Sequence, residues 1–180
     1  MQVIYEQNRT ASKHFKCQFN TEFVPAENLG VKNAKWDKQD GYVVNRDCYN
    51  SYLYLVENTN TTHIDKFILH GRELNQYLDG GSALHLNLEE TLTYKNALNL
   101  LNIAAKAGCN YFCVNVKITI CNTCDAIDKR TLYACPSCGS EDIDHGTRVI
   151  GYLKRVSAFS KGRRDEHALR HYHTQTRVQS

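Results

Sequence analysis

Proline, methionine and tryptophan are nearly missing from this chain, with 2, 1 and 1 residues in 180. So little proline, beside 42% hydrophobic and 23% charged residues, excludes a proline-rich, disordered or collagen-like polypeptide. No run of 18 apolar residues exists, which excludes a membrane-spanning helix. Residues 1–17 hold no apolar stretch behind a basic start, so they do not read as a secretory signal. No internal repeat or low-complexity linker appears either. The expectation is one compact cytoplasmic unit with a small appendage.

Cysteine, by contrast, is plentiful: eight residues. Without an export signal, such thiols bind metal or do chemistry rather than pair as disulfides. Cys17, Cys48, Cys109 and Cys113 are scattered, and the last two are expected as core thiols at a helix–strand joint. Cys121-Asn-Thr-Cys124 and Cys135-Pro-Ser-Cys138 form two pairs separated by ten residues. A two-residue gap lets two thiolates from one turn reach a single ion, and the second pair closes a tetrahedron from a facing hairpin. This is zinc-ribbon spacing. With all four positions filled by thiolate, no site is left for water or substrate, so the zinc is expected to be structural. An iron–sulfur cluster is the rival centre, because four-thiolate sets serve both.

The periodicities place these cysteines after an α/β segment. Residues 1–60 read as strand and loop, with Gln18–Val24 alternating, Tyr49–Val56 rich in β-formers and an Asp40-Gly41 turn between them. Ile64, Phe67, Ile68, Leu74, Tyr77 and Leu78 predict one helix over 62–78, stopped by Asp79-Gly80-Gly81-Ser82. That glycine pair reads either as the stop or as backbone N–H groups turned towards a phosphate. Residues 83–88 predict a strand, with His85 as a core histidine. Thr93 caps a second helix to Ala107, with Ala97, Leu98, Leu100, Leu101, Ile103, Ala104 and Ala105 expected largely buried. Gly108 stops it, and 111–120 return as a strand. Strand, helix and strand with short joints make a βαβ unit. A last helix is expected over 162–173. Charge is uneven: residues 145–180 carry 8 Lys/Arg against 2 Asp/Glu, in a chain of net charge +3.

Arg148-Val-Ile-Gly151-Tyr-Leu153, followed by Phe159-Ser-Lys-Gly162-Arg-Arg-Asp-Glu166-His-Ala-Leu-Arg170-His-Tyr-His173, resembles the C-terminus of class III (anaerobic) ribonucleoside-triphosphate reductases. Upstream, Val24-Pro-Ala-Glu-Asn28, Gly41-Tyr-Val-Val-Asn45, Asn50-Ser51, Gly80–Asn87 and Ala107–Phe112 are similar to the last part of that family's catalytic barrel. The resemblance covers nearly the whole chain. It departs at Ser160 and Arg163, where the family's tail often has Asn and Lys.

The resemblance implies a partial α/β barrel over 1–120, a four-cysteine zinc ribbon over 121–146, and a glycyl radical loop with a basic helix over 147–180. It implies that Gly151 carries a radical made by a radical-SAM activating enzyme. It further implies a ribonucleoside triphosphate substrate, formate or a thiol system as reductant, and a homodimer of the complete enzyme. The family's regulatory domain, most of its barrel and the loop bearing its thiyl-forming cysteine have no counterpart here, so an N-terminal remainder is an implied partner. The chemistry of glycine agrees: with no Cβ, its α-carbon can become planar between nitrogen and carbonyl. Glu27 and Asn28, after a strand, could hold a ribose hydroxyl or a small reductant, or merely cap a turn. The basic tail could meet nucleotide phosphates, the activating enzyme or the rest of the barrel, or form a solvated face. Two other readings stand beside this one: a spare-part radical carrier docking on a damaged enzyme, and a zinc-ribbon nucleic-acid-binding module using the basic tail.

Overall fold

A computed structural model describes residues 1–24, 29–50, 53–148 and 152–173. In chain order the elements are α1 (Gln2–Phe15), β1 (Glu22–Phe23), α2 (Leu29–Gln39), α3 (His63–Ile68), β2 (Gly81–Ser82), β3 (Leu84–Asn87), α4 (Tyr94–Ala107), β4 (Phe112–Asn115), β5 (Ile118–Cys121), β6 (Ile127–Asp128), β7 (Ile143–Arg148), β8 (Leu153–Arg155) and α5 (Lys161–Leu169). The protein is mixed α/β. Its chain divides into two compact units, each made of three separate segments.

The first unit takes residues 1–24, 60–86 and 93–113. Its core includes Phe67, Leu84, Leu86, Leu100 and Ala104, with Phe67 edge-on to Phe112 at 5.1 Å between ring centroids. The α4 N-terminus forms as expected: the Thr93 side chain accepts from the Asn96 N–H, and Gly108 ends the helix at φ 73°. Within this unit the Leu84 N–H donates to the Tyr111 carbonyl at 3.1 Å. In the second unit the Leu88 N–H donates to the Asn115 carbonyl at 2.9 Å, four residues further along both segments. The strands therefore run parallel, and the βαβ reading holds.

Three expectations change. Residues 1–60 hold two helices, of 14 and 11 residues, where strand and loop were expected; among the described residues the only strand is the two-residue β1, and the rest is turn and loop. Helix α1 buries no residue, and α2 buries only Gly30 and Ala34, so neither packs a row of large apolar side chains into a core. The 62–78 helix is interrupted. A capping box between Thr62 and Asp65 starts α3, but the helix passes into a π turn at 69–73, with Gly71 at ψ −114°, and then a short 3-10 turn at 75–77. A Cβ on Gly71 would sit 2.1 Å from the Ala107 carbonyl oxygen, so the backbones touch there and the helix gives way. In α4, Leu98 and Leu101 are exposed, as is Tyr94; together they form a stripe at positions i, i+4 and i+7.

The Gly80-Gly81-Ser82 segment resolves in favour of structure. Gly81, at φ 86°, pairs in parallel with Glu22, and Ser82 with Phe23. The Gly80 N–H is taken by the Thr21 carbonyl at 3.0 Å and is not turned towards a phosphate. Buried His70 contacts the Ser82 hydroxyl through Nδ1 at 2.7 Å. Burial, then the neighbouring His85, lowers the His70 pKa to about 4, so the ring is neutral at pH 7.

Two outcomes are expected. Gly71→Ala drives a methyl group into the Ala107 carbonyl, so urea unfolding of the first unit should show a loss of about 2 kcal/mol. The Tyr94–Leu98–Leu101 stripe should make the isolated chain self-associate. Sedimentation should show larger species that Leu98→Glu with Leu101→Glu disperses.

Candidate functional site

The second unit takes residues 25–59, 87–92 and 114–180. Its four-stranded antiparallel sheet has the order β6-β5-β7-β8. Cys121 ends β5 and Cys124 lies in the following turn, while Cys135 and Cys138 lie in the turn ahead of β7. Their four Sγ atoms fall within 4.8 Å of one another, with Cys121–Cys138 at 3.7 Å and Cys124–Cys135 at 3.6 Å. Thiolates about 2.3 Å from one zinc ion stand roughly 3.8 Å apart, so the sulfurs are spaced for a single tetrahedral ion. A [4Fe–4S] cluster puts each thiolate on a different iron and a [2Fe–2S] cluster puts two on each of two irons, and both spread the four sulfurs wider.

The backbone builds both halves of this site in the same way. In each pair the residue after the second cysteine takes a left-handed conformation: Asp125 at φ 57° and Gly139 at φ 74°. The reversal folds amide hydrogens inwards. The Ser137 N–H points at Cys135 Sγ over 3.4 Å, and the N–H groups of Cys138 and Ser137 pull the Cys135 thiol down to about 6. That favours the thiolate a metal needs. The two turns are then tied together by Thr123 with Ser140 at 2.8 Å and by the Asn122 side-chain amide donating to Asp142 at 2.9 Å.

From this sheet, β7 runs on to Arg148, which pairs across to Leu153 of β8. Val149, Ile150 and Gly151 lie between them, outside the described residues, as do Glu27 and Asn28. What the structure does describe is the environment of Arg148. Asn115, 1% exposed, accepts on Oδ1 from the Arg148 N–H and from the Thr147 hydroxyl, each at 2.9 Å. Its Nδ2 donates to Asn87 Oδ1 at 2.8 Å. Arg170 Nη1 donates to the Arg148 carbonyl at 3.2 Å.

Arg170 is itself fixed by Glu166. Its Nε and Nη2 reach the two carboxylate oxygens at 2.9 and 2.8 Å, and Arg163 adds a third contact to Glu166 at 3.2 Å. All three residues are buried. Removing one partner from such a cluster costs about 3–5 kcal/mol, because a charge is left without compensation. Helix α5, which carries Arg163 and Glu166 and is followed directly by Arg170, ends at Leu169 rather than His173. It begins at a close approach, where a Cβ on Gly162 would lie 2.8 Å from the Asp47 carbonyl oxygen.

The basic tail is therefore partly internal. Two of its arginines serve Glu166, and Arg155 donates to Asn122 at 2.7 Å. Of the scattered cysteines, Cys109 is buried as expected and Cys113 is partly so. The anchoring roles of Asn87, Asn115 and Thr147 were not foreseen, although one signal was present: an asparagine closes each strand of the βαβ unit, where an apolar residue would otherwise stand.

The family model described as anaerobic ribonucleoside-triphosphate reductase matches residues 1–173. Among solved structures, an anaerobic ribonucleotide reductase matches with TM-score 0.79 and 30% identity, over 97% of this chain and 28% of that one. The anaerobic ribonucleotide reductase from Thermotoga maritima in complex with dATP and CTP matches with TM-score 0.71 and 30% identity, over 92% of this chain and 27% of that one. The same enzyme with MES in the active site matches with TM-score 0.72 and 29% identity, over 88% and 26%. This chain thus spans little more than a quarter of the solved chains it matches. No curated protein matches it.

The sulfur geometry generates a direct expectation. Purified chain should hold about one metal ion, and Cys135→Ser should lose it. Hydrogen exchange should then accelerate across residues 118–148 and remain unchanged in the βαβ segment. An intact sheet in metal-free, fully reduced protein would contradict this.

Proposed function

The chain belongs to the anaerobic ribonucleoside-triphosphate reductase family, corresponding to a C-terminal portion of its longer members, and we propose that it carries that enzyme's radical glycine, Gly151, beside a structural zinc site. The supporting observation is continuity: one sheet holds the four-cysteine cluster, and its strand β7 leads directly into the Arg148-Val-Ile-Gly151-Tyr-Leu153 segment.

In this reading Cys121, Cys124, Cys135 and Cys138 hold zinc, which supplies local folding energy and no open coordination position. A radical-SAM activating enzyme removes one hydrogen atom from the Gly151 α-carbon. The resulting radical takes a hydrogen atom from a cysteine outside this chain, and the thiyl so formed takes the 3′-hydrogen of a ribonucleoside triphosphate. The 2′-hydroxyl leaves as water, and formate or a thiol system supplies the two electrons. Glu27 and Asn28 are proposed to line the ribose pocket. The remainder of the barrel is a required partner, the complete enzyme works as a homodimer, and the setting is cytoplasmic. Among the described residues no helix is long and apolar enough to cross a membrane.

The alternatives have less support. A spare-part carrier needs little beyond the radical loop, whereas the family match extends over residues 1–173. A nucleic-acid module needs free basic groups, whereas Arg163 and Arg170 are buried against Glu166.

Alone, the chain should show no nucleotide reduction. Complemented by the rest of the barrel and activated without oxygen, it should give a doublet paramagnetic signal from one α-hydrogen, and Gly151→Ala should abolish it. Oxygen should then cut the activated backbone at Gly151, removing roughly the last 30 of 180 residues, measurable by mass. Cleavage at Gly139, Gly146 or Gly162 instead would assign the radical to another glycine.

A further inference from the structure

Strand β5 accompanies β7 only as far as Gly146, which pairs with Ile118. Beyond that point Thr147 and Arg148 keep β8 on one side and have no strand on the other. Backbone groups at such a place, shut away from water, must find other partners. Here side chains replace the missing strand: Asn115 Oδ1 takes the Arg148 N–H at 2.9 Å, and Arg170 Nη1 reaches the Arg148 carbonyl at 3.2 Å.

Neither group can readily turn away. The Asn115 amide is held by three hydrogen bonds, two accepted from Thr147 and Arg148 and one donated to Asn87. Flipping it would put its NH₂ against the Arg148 N–H and its oxygen against the Asn87 oxygen. The Arg170 side chain, fully buried, has two of its nitrogens committed to the two oxygens of Glu166, which leaves Nη1 aimed at one carbonyl. The result is a rigid clamp on both polar groups of one residue, three positions ahead of Gly151.

We propose that Asn115 and Arg170 are positioning residues for the radical glycine, acting through the Arg148 backbone; this rests on the assignment of the radical to Gly151. A glycine has no side chain by which it can be held, so its α-carbon must be located through neighbouring backbone. Hydrogen-atom transfer from a cysteine demands such location, since a misplacement of about 1 Å can cost roughly a hundredfold in rate. The anchor sits in the same unit as the metal site but does not depend on the cysteines for any of its contacts. Breaking the anchor should therefore leave the metal in place.

The test uses the metal-loaded full chain carrying Asn115→Leu, similar in size but without the acceptor, and Arg170→Lys, which keeps charge but loses the fork. Hydrogen exchange at the Arg148 amide should be at least about tenfold faster in Asn115→Leu, while Ile143 and Asp144 in the same strand, and the metal content, stay as in the parent. Unchanged Arg148 exchange overturns the proposal. So does uniform acceleration along β7 with loss of metal, which would mark a merely structural role. Should Asn115→Leu not fold, Asn115→Ala, which also lacks the acceptor for the Arg148 N–H, takes its place.

In the complemented, activated enzyme both variants should then give at least about tenfold less doublet signal than the parent. A full-size doublet in Asn115→Leu beside a silent Gly151→Ala overturns the anchor alone. A doublet that persists in Gly151→Ala overturns the radical assignment, and with it the purpose given to the anchor.

Discussion

A carboxylate gripped by two guanidinium groups inside the protein sets the arrangement of the second unit. Glu166 lies about one turn from Arg163 on helix α5 and from Arg170 just past its end, so one short segment supplies a complete buried ion cluster. Its burial would be costly if the geometry were loose, and it is not loose: the Arg170 fork meets both oxygens squarely. The same guanidinium is left with one nitrogen to spend on Arg148. Through that contact the C-terminal helix, the end of β7 and the amide of Asn115 share one hydrogen-bonded network, so none of these parts can shift without breaking a bond to another.

The metal site is organised on a different principle. Its two turns owe their shape to left-handed residues and inward-pointing amides, and its sulfurs meet because β5 and β7 are in register, Cys121 opposite Ile143. Asp125 occupies the left-handed position in one turn and Gly139 in the other. Aspartate tolerates that conformation better than most residues, yet glycine alone adopts it freely. The two halves of the site are alike in fold and unequal in backbone ease.

What was legible in the sequence followed local rules. Cys-x-x-Cys spacing, the Thr93 cap, the Gly108 stop and the short strand expected over residues 83–88 each rest on a few neighbouring residues, and each was realised. The two helices of the first sixty residues were missed for an equally physical reason. Helix α2 buries a glycine and an alanine, with Gly30 so near the Tyr49 carbonyl that a Cβ would lie 2.6 Å from it. Close packing of that kind is invisible to a search for large apolar side chains. Helix α1 buries no residue fully and only half-buries Tyr5, Asn8, Ala11 and Ser12, so it carries no large buried side chain to mark it. The anchor was hidden differently: a buried asparagine is explained only by what it touches, and its partners stand 28 residues back and more than 30 residues ahead.

The isolated bridge between Leu88 and His173 has a bearing on the order in which the second unit takes shape. The Glu89 N–H reaches the His173 carbonyl at 3.1 Å, and the His171 N–H reaches that of Val56 at 2.7 Å. These contacts join segments roughly a hundred residues apart, and closing such long loops is slow, because their entropy must be lost before any contact is gained. The four cysteines, between residues 121 and 138, need no such closure. The ribbon can therefore assemble early as a local nucleus, while residues 170–173 act as a clasp that shuts last.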